Sequence, residues 1–348
     1  MLDELGVMDY IRFGRTGLEV SQLCLGTWMF GTHADSREVV DRVTAHALLD
    51  AAWDCGINFF DTANRYGRGR SERYIGEWLA DKERENFIVA SKVFFTTHGR
   101  PETGLSRKIV LSEIDGTLER LGTDYLDIYY IHGWHEGAPL DETLSALNDL
   151  VRLGKVHYLG VSNFAAWQLT RAQWIADVHD WESISVIQPR YNAVDHVPYT
   201  VDPAVMPLFD LFDACRAQGV AVCPYSPLAE GFLAGRYQRT QDGEVIVPKG
   251  SRGAMADGYG RFPERWWKVL SVVRAVAEEL NATPAQVALR WSMMIDGLTS
   301  VPVVGGRSTS QLEDNVATLR LSLSADQYDR ISAAGSYTGF ESPYTYTR

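Results

Sequence analysis

The sequence lacks the features that mark several classes of protein. It has no apolar run of about 18 residues, so we expect no membrane span and no membrane partner. It has no surplus of basic residues, since the formal net charge is −12, and nucleic acid is therefore not an expected partner. The start, Met1-Leu-Asp-Glu-Leu5, is acidic and carries no apolar segment, so we expect no signal peptide.

Cysteine and lysine are also scarce. The four cysteines, Cys24, Cys55, Cys215 and Cys223, lie far apart in the sequence and form no CxxC pair. We therefore expect reduced, mostly buried thiols in a cytoplasmic protein. Only six of the 33 basic residues are Lys. This bias fits either a GC-rich genome or a salt-adapted cytosol, in which an acidic surface keeps a protein hydrated.

What the sequence does contain is a repeating alternation of short apolar runs and amphipathic stretches. The apolar runs lack strict polar alternation, which is typical of strands buried on both faces of a parallel sheet. They cover residues 21–26, 57–60, 87–90, 125–131, 156–161, 184–187, 220–223 and 300–304. The amphipathic stretches predict helices over 38–55, 71–80, 106–121, 140–153, 164–176, 203–218, 263–280, 284–294 and 309–317.

This order predicts an α/β fold in which eight strand–helix units close into a (β/α)8 TIM barrel. We expect a single barrel domain over residues 1–348, with an N-terminal β-hairpin from 8–13 and 18–21 and a long loop after strand seven. The rival fold is an open doubly wound sheet, which usually carries a GxGxxG string after its first strand. The nearest string here, Gly67-Arg-Gly-Arg-Ser-Glu72, fails at its last position.

Capping signals support the predicted helices. Ser71, Thr283 and Ser324 are expected to cap helix starts, because their hydroxyl groups can accept hydrogen bonds from the first backbone N–H groups. Gly56 and Gly219 follow helical stretches and precede strands. That position is typical of the left-handed residue that ends a helix.

Polar side chains recur where the predicted strands end, which is the rim that carries the active site in barrel enzymes. In strand order these ends are Gly26-Thr-Trp28, Asp61, Ser91-Lys92, His132, Ser162-Asn163, Gln188, Tyr225-Ser226 and Gly305-Gly-Arg-Ser308. One such residue would be an ordinary cap or loop residue. Polar residues at the ends of all eight predicted strands predict an active site.

The residue types indicate carbonyl reduction. Asp61, Lys92, His132 and Tyr66, which follows Asp61 on the same loop, form a proton-transfer set. A phenol has an ordinary pKa near 10, and a nearby ammonium group lowers the pKa of a phenol by stabilising the phenolate. Asp61 can hold Lys92 charged, and His132 can orient a carbonyl oxygen. These groups cannot deliver a hydride, so a cofactor is required.

A second group of strand-end residues matches the parts of a dinucleotide. Ser162, Asn163 and Gln188 offer donors and acceptors for a flat carboxamide. Tyr225 offers an aromatic face for a flat ring, and Arg307 precedes a predicted helix, where a phosphate is favourably bound. Carboxamide, ring and phosphate together describe a nicotinamide dinucleotide.

Over essentially its whole length the chain resembles the aldo-keto reductase superfamily. The matching strings are Gly26-Thr-Trp28, Asp61-Thr-Ala-Asn-Arg-Tyr-Gly67, Ser91-Lys92, Tyr130-Ile-His132, Gly160-Val-Ser-Asn-Phe164, Gln188-Pro189, Tyr225-Ser-Pro-Leu-Ala229, Gly305-Gly-Arg-Ser308 and Gln311-Leu-Glu-Asp-Asn315. The resemblance implies NAD(P)H-dependent reduction of aldehydes or ketones without a metal, with NADP(H) preferred and NAD(H) possible. It implies a small carbonyl or alcohol substrate, and Tyr66 as the general acid supported by Lys92, Asp61 and His132.

The resemblance also implies the cofactor contacts. These are Gly26, Thr27, Trp28, Ser162, Asn163, Gln188, Tyr225, Ser226, Pro227, Leu228, Arg236, Arg252, Gly305, Arg307, Gln311, Asp314 and Asn315. Because they follow strand ends, Trp28, Phe94 and Trp134 are expected to line the substrate mouth, although burial in the core is the alternative for each.

Residues 104–108 and 226–262 are most similar to bacterial and archaeal members related to potassium-channel β-subunits. The β-subunits tend to lack the catalytic histidine, whereas His132 is present here, which favours a working reductase. The alternative is a cofactor-binding regulatory or redox-sensing protein on the same barrel. Arg236 stands where Lys is usual, which keeps the charge but changes the hydrogen-bond geometry. The sequence predicts neither the substrate, the direction of reaction nor the oligomeric state.

Two other interpretations are disfavoured. His132 and His135 are three residues apart, but a metal pair at this spacing needs a helix, and no carboxylate or thiolate cluster stands beside them. The string Gly160-Val-Ser-Asn-Phe164 approaches the G-x-S-x-G nucleophile elbow of hydrolases but lacks its last glycine.

Overall fold

Short parallel strands wrapped by helices form the architecture. A computed structural model describes residues 8–34, 37–97, 103–196, 210–240, 242–247 and 262–336. Its strands are β1 Tyr10–Arg12, β2 Glu19–Ser21, β3 Cys24–Gly26, β4 His33–Ala34, β5 Arg37–Glu38, β6 Phe59–Asp61, β7 Ile88–Val93, β8 Leu126–Ile131, β9 Val156–Ser162, β10 Ile184–Gln188, β11 Ala221–Val222, β12 Gln238–Arg239, β13 Val245–Ile246 and β14 Val303–Val304. Its helices are α1 Arg42–Asp54, α2 Arg70–Leu79, α3 Arg107–Leu121, α4 Leu140–Arg152, α5 Ala166–His179, α6 Leu211–Gln218, α7 Glu264–Glu279, α8 Pro284–Met293, α9 Thr309–Val316 and α10 Ala325–Gly335.

Eight of these strands form one parallel sheet that curls into a barrel. Their order is β11-β10-β9-β8-β7-β6-β3-β14, with a helix after each strand as the alternating pattern predicts. The sheet closes because the segment before β14 pairs with the region of β11. Val301 N donates to Val222 O at 2.9 Å, and Val303 N donates to Pro224 O at 2.8 Å. The predicted eight-stranded barrel is confirmed.

The N-terminal hairpin lies across one end of the barrel. β1 and β2 pair in antiparallel register, as predicted. Phe13, between them, is 1% exposed and meets Phe59 of β6 edge to face, with ring centroids 5.6 Å apart. The backbone N–H of Arg15 donates to Gly219 O at 3.0 Å, just before β11. With the amino-terminal end filled by these residues, the carboxyl ends of the strands are left to form a cavity.

The seventh strand of the barrel is β11, and the predicted long segment after it is present between β11 and α7. It contains the small hairpin of β12 and β13, while residues 248–261 lie outside the described part of the chain. Helices α7 and α8 follow and return the chain to β14. In the described ranges, no helix combines the length and the apolarity needed to cross a membrane.

The helix starts show where local sequence signals succeed and fail. Thr283 and Ser324 cap α8 and α10, each within a capping box, as predicted. The cap predicted at Ser71 is wrong, because α2 begins one residue earlier, after Gly69 with φ 83°. Ser71 is buried instead, and its Oγ lies 2.7 Å from the hydroxyl oxygen of Thr27.

Some predicted boundaries also move. Helix α1 begins at Arg42 rather than at 38, because Asp41 caps it by accepting a hydrogen bond from Thr44 N at 2.9 Å. The described part of α6 begins at Leu211, and residues 197–209 lie outside the described chain. Gly56 and Gly219 have the positive φ expected after a helix, 85° and 64°.

Gly160 in β9 leaves room inside the barrel for the ring of Tyr130. A Cβ at this position would lie 2.5 Å from two carbons of that ring and 2.9 Å from Val186. Tyr130 is fully buried, and its ring centroid lies 5.8 Å from the ammonium nitrogen of Lys92. A side chain at residue 160 would therefore disturb the packing beside Lys92.

We predict that Gly160→Ala lowers the free energy of unfolding by about 1–3 kcal/mol, the usual cost of overpacking a core. Denaturant unfolding measures this change. Gly17→Ala is the control, because a Cβ there meets nothing within 4 Å. Equal stability of the two variants would contradict the assigned packing.

Candidate active site

A cavity of about 910 Å³ opens at the carboxyl ends of the barrel strands. Most of the predicted site residues line it: Gly26, Trp28, Asp61, Tyr66, His132, Ser162, Asn163, Gln188, Tyr225, Ser226, Pro227, Leu228, Arg236, Gly305, Arg307, Gln311, Asp314 and Asn315. They come from many separate strand ends. The parallel barrel therefore brings together side chains that are far apart in sequence.

Lys92 lies in the barrel wall behind the cavity, with all three of its ammonium donors engaged. Its Nζ is 2.6 Å from Asp61 Oδ2, 2.8 Å from Thr62 O and 3.3 Å from the hydroxyl oxygen of Tyr66. Lys92 is 0% exposed and Asp61 2% exposed. Because Tyr66 accepts from Lys92, the hydrogen of its own hydroxyl is directed away from Lys92.

The charge on Lys92 is maintained by its neighbours. Burial opposes the ammonium form, but Asp61 and Tyr66 more than compensate, so the pKa of Lys92 lies above its ordinary value. The second carboxylate oxygen of Asp61, Oδ1, accepts a hydrogen bond from Gln188 Nε2 at 2.9 Å. Gln188 thus joins the proton-transfer set to the predicted carboxamide set, a link that the sequence does not predict.

His132 faces Tyr66 across the cavity, with the two ring centroids 5.9 Å apart and nearly perpendicular. Burial, followed by the charges of Lys92 and Arg65, holds the pKa of His132 well below its ordinary value. The imidazole is therefore neutral at physiological pH. Its Nδ1 is buried and has no hydrogen-bond partner among the residues that the structure describes.

The three predicted carboxamide-binding residues form one connected network. Ser162 Oγ donates to Gln188 O at 2.8 Å, and Asn163 Nδ2 donates to His132 O at 3.0 Å. The hydroxyl of Tyr225 donates to Asn163 Oδ1 at 2.9 Å. Asn163 has a φ of 58°, a left-handed conformation that asparagine tolerates better than most residues. These contacts fix the side chains before any ligand binds.

The opposite end of the cavity carries two guanidinium groups. The pKa of Arg307 is lowered, first by partial burial and second by the positive charge of Arg236. The backbone N–H of Arg307 donates to Gln311 Oε1 at 3.0 Å, and Asn315 Nδ2 donates to Gly305 O at 3.3 Å. Arg307 precedes α9 and Arg236 precedes β12, and their two neighbouring positive charges form a site that favours an anion.

Four predicted residues do not line this cavity within the described part of the chain. Thr27 is buried and donates to Asp61 O at 2.9 Å. Lys92 lies behind the wall. Phe94 packs edge to face on Phe95, and Trp134 packs on Phe164, with ring centroids 5.0 and 5.4 Å apart.

Arg252 lies outside the described residues.

Several residues that line the cavity are not predicted from the sequence, among them Arg65 and Phe95. The guanidinium carbon of Arg65 lies 3.9 Å from the centroid of the Phe95 ring, which in turn meets the His132 ring edge to face. Glu113 holds together the two loops that carry Arg65 and Phe95. It accepts hydrogen bonds from Asn64 Nδ2 and from the hydroxyl of Thr97, both at 2.9 Å. Because two phenylalanines stand side by side at 94 and 95, the sequence does not predict which of them faces the cavity.

Arg190 and Glu230 were missed as well. Arg190 is 8% exposed, and its Nε and Nη1 lie 2.9 Å from Asp195 Oδ2 and 3.2 Å from Glu230 Oε1. Glu230 has a φ of 59°, in a loop where Ser226 and Ala229 also adopt positive φ. Arg190 stands two residues after the end of β10, and this position at a strand end is the signal that could have predicted it.

Comparison with known proteins decides the family. The model of the aldo/keto reductase family matches residues 22–336. The chain is 33% identical to an uncharacterized oxidoreductase, YrpG, of Bacillus subtilis (strain 168), over 97% of this chain and 99% of that protein. It is 32% identical to a probable voltage-gated potassium channel subunit beta of Oryza sativa subsp. japonica, over 94% and 96%. It is 31% identical to norsolorinic acid reductase B of Dothistroma septosporum, over 97% and 84%.

The chain belongs to the aldo/keto reductase family. The resemblance to this family in the sequence is thereby confirmed, including its potassium-channel β-subunit relatives. The family and the relatives named as oxidoreductases make this aldo/keto reductase an oxidoreductase. No group of three metal-ligating side chains occurs among the residues that the structure describes.

The depressed pKa of His132 predicts an effect on acid stability. In the unfolded chain this histidine takes up a proton as the pH falls through about 6.5, whereas in the folded protein it stays neutral to a lower pH. Its contribution to stability is therefore present above about pH 6.5 and is lost as the pH falls through the depressed value. Melting temperatures of His132→Gln should consequently fall less between about pH 7 and about pH 5 than those of the wild type.

The control for this measurement is His179→Gln, at an exposed histidine that has no carboxylate partner among the residues that the structure describes. It should keep the wild-type dependence of melting temperature on pH. The same acid-side loss in His132→Gln as in the wild type would contradict a buried neutral His132.

Proposed function

We propose that this aldo/keto reductase reduces aldehydes or ketones to alcohols, reversibly, with a hydride from NAD(P)H and a proton from Tyr66. One observation carries the proposal: the Tyr66 hydroxyl is held 3.3 Å from the Lys92 ammonium, at the wall of a cavity of about 910 Å³. That cavity has the size of a cofactor and small-substrate site.

The residues present fit a nicotinamide dinucleotide. Ser162, Asn163 and Gln188 supply fixed amide and hydroxyl groups beside Tyr225, and these would hold the carboxamide and the ring. Arg307 would hold a phosphate at the other end of the cavity. His132 lines the cavity with its ring centroid 5.9 Å from that of Tyr66, so both side chains would lie close to a substrate oxygen.

When bound, reduced nicotinamide supplies a hydride, with its two electrons, to the carbonyl carbon. Tyr66 gives its hydroxyl proton to the carbonyl oxygen as that oxygen gains negative charge, so that the C=O bond becomes CH–OH. Lys92 stabilises the phenolate that remains, and Asp61 keeps Lys92 charged and in place. His132, being neutral, orients the carbonyl oxygen. The phenolate of Tyr66 then regains a proton from water.

We further propose that NADP(H) is preferred, with NAD(H) possible. The pair Arg307 and Arg236 supports this preference, because two guanidinium groups close enough to perturb each other suit the extra phosphate of NADP(H). Arg252 is proposed as an additional phosphate contact on the long segment after strand seven.

For the substrate we propose a small carbonyl compound that enters past Trp28, Met29 and Phe95, which line the cavity. Phe94 and Trp134 stay proposals for the outer rim. A relative named a reductase supports reduction as the direction of interest. We also propose a cytoplasmic location, which the four free cysteines support, and a single barrel domain.

A second candidate is a cofactor-binding regulatory or redox-sensing protein on the same barrel. It is favoured by the relatives named potassium channel subunits beta. Continuous NADPH consumption with a panel of aldehydes and ketones separates the two. Tight NADPH binding with only a single turnover would favour the second candidate.

The proton assignment predicts the effect of two substitutions. Tyr66→Phe removes the donated proton but keeps the ring, so it should slow carbonyl reduction by a factor on the order of 10²–10⁴. Lys92→Met should act similarly, and the double variant should be little worse than either, because the pair works as a unit. Steady-state kinetics with NADPH provide the measurement.

Tyr10→Phe is the matched control, since that hydroxyl donates to Gly56 O at 3.0 Å, on the hairpin end of the barrel. NADPH binding should survive in Tyr66→Phe, as fluorescence titration can verify. Reduction by Tyr66→Phe at nearly the wild-type rate would overturn the assignment and move the acid to His132.

The cofactor preference predicts a selective loss in Arg307→Ala. A charge-assisted contact to phosphate contributes roughly 1.5–3 kcal/mol, or about one to two decades in affinity. NADPH affinity should fall by that factor, while NADH affinity should change little. Arg330→Ala, at an exposed ion pair with Glu279, is the control. Equal weakening of both cofactors would show that Arg307 does not recognise the additional phosphate.

A further inference from the structure

Helix α5 exposes an apolar stripe on its outward face. Trp167, Trp174 and Val178 are 58%, 63% and 58% exposed. Their spacings of seven and four residues place them on one side of the helix. The opposite side of α5 is also apolar, with Leu169 and Ile175 buried in the core.

This stripe differs from ordinary exposed apolar residues. On α1, the exposed side chains Val43 and Trp53 lie at opposite ends of the helix. Leu153 follows α4 as a single residue. Isolated residues of this kind are normal on a protein surface, whereas a helix that is apolar on both sides is usually covered on both. The outward stripe of α5 therefore indicates a surface that becomes buried on association.

The charges on this face identify a suitable partner. Between Trp167 and Val178 the exposed face carries one positive residue, Arg171, and one negative residue, Asp177. Neither has an ion-pair partner among the residues that the structure describes. The net charge of −12 opposes contact between copies of the chain through most of their surfaces, but this face is locally neutral.

We propose that the outward face of α5 docks on the same face of a second copy of this chain. Arg171 and Asp177 lie three residues before and three after Trp174, about 60° to either side of it at about 100° per residue. A twofold axis through Trp174, with the two helices crossing steeply, brings Arg171 of each copy to Asp177 of the other. Helix pairs that cross at about 50° are common in globular proteins.

The same arrangement buries the tryptophans. Trp174 meets its counterpart at the twofold axis, and Trp167 lies towards the ends of the contact. Over both copies, the exposed surface area of Trp167 and Trp174 is on the order of 600 Å². That is about half of the smallest area that stable protein interfaces bury, roughly 1,200 Å². Flanking side chains of α5 would supply the remainder.

The first test measures the oligomeric state of the full chain by sedimentation velocity over micromolar to submillimolar concentrations. The wild type should self-associate, and Trp174→Glu should weaken the association by at least ~30-fold, as expected for a central aromatic contact. Val43→Glu places the same charge on an exposed residue of α1 and should leave the association unchanged. Both variants should keep the circular dichroism spectrum of the wild type, which shows that they are folded.

A charge exchange tests the geometry. Arg171→Glu and Asp177→Arg should each weaken the association, because each places like charges opposite one another at both ends of the contact. The double variant Arg171→Glu with Asp177→Arg should restore it. A wild type that stays monomeric throughout this range, or an association that Trp174→Glu does not weaken, would overturn the proposal. A double variant no better than the single variants would overturn the crossed twofold arrangement.

Discussion

The 2.6 Å ion pair between Lys92 and Asp61 is the contact on which the geometry of the candidate site depends. Burying two charges costs several kcal/mol per ion unless their remaining hydrogen-bonding groups are satisfied. Here they are satisfied: Lys92 donates to Thr62 O and to the Tyr66 hydroxyl, and Asp61 also accepts from Gln188. Tyr66 therefore helps to offset the free-energy cost of burying the ion pair, and the ion pair in turn fixes the position of the Tyr66 oxygen.

The barrel makes this arrangement possible. Asp61 ends β6 opposite Ala90 of the adjacent β7, and Lys92 follows two residues later on the same face of the sheet, within reach of the Asp61 carboxylate. The N-terminal hairpin fills the opposite end of the barrel with Phe13, which leaves one open end for ligands. His132 completes the rim as a neutral imidazole, because burial, and after it the positive charges of Lys92 and Arg65, lowers its pKa well below the ordinary value.

The sequence predicts the barrel and the residues at its strand ends well, because periodicity and residue type are local properties. It does not predict which of two adjacent aromatic residues faces the cavity: Phe95 lines it, while Phe94 does not. The backbone at Phe95 is held by Asn64, which is distant in sequence and donates to Phe95 O at 2.6 Å. Ser71 illustrates the same limit, since its tertiary hydrogen bonds override its capping preference. Contacts between separate elements are not encoded in a local pattern.

We propose that this cavity carries out one reaction, in which the hydride and the Tyr66 proton reach the same carbonyl group. Single-turnover reduction with NADPH deuterated at the transferable C4 position, in H2O and in D2O, tests it most directly. We expect deuterium on the carbinol carbon of the product, with both the labelled cofactor and the heavy solvent slowing the same step. Deuterium that stays on the cofactor or is lost to the solvent would contradict the account.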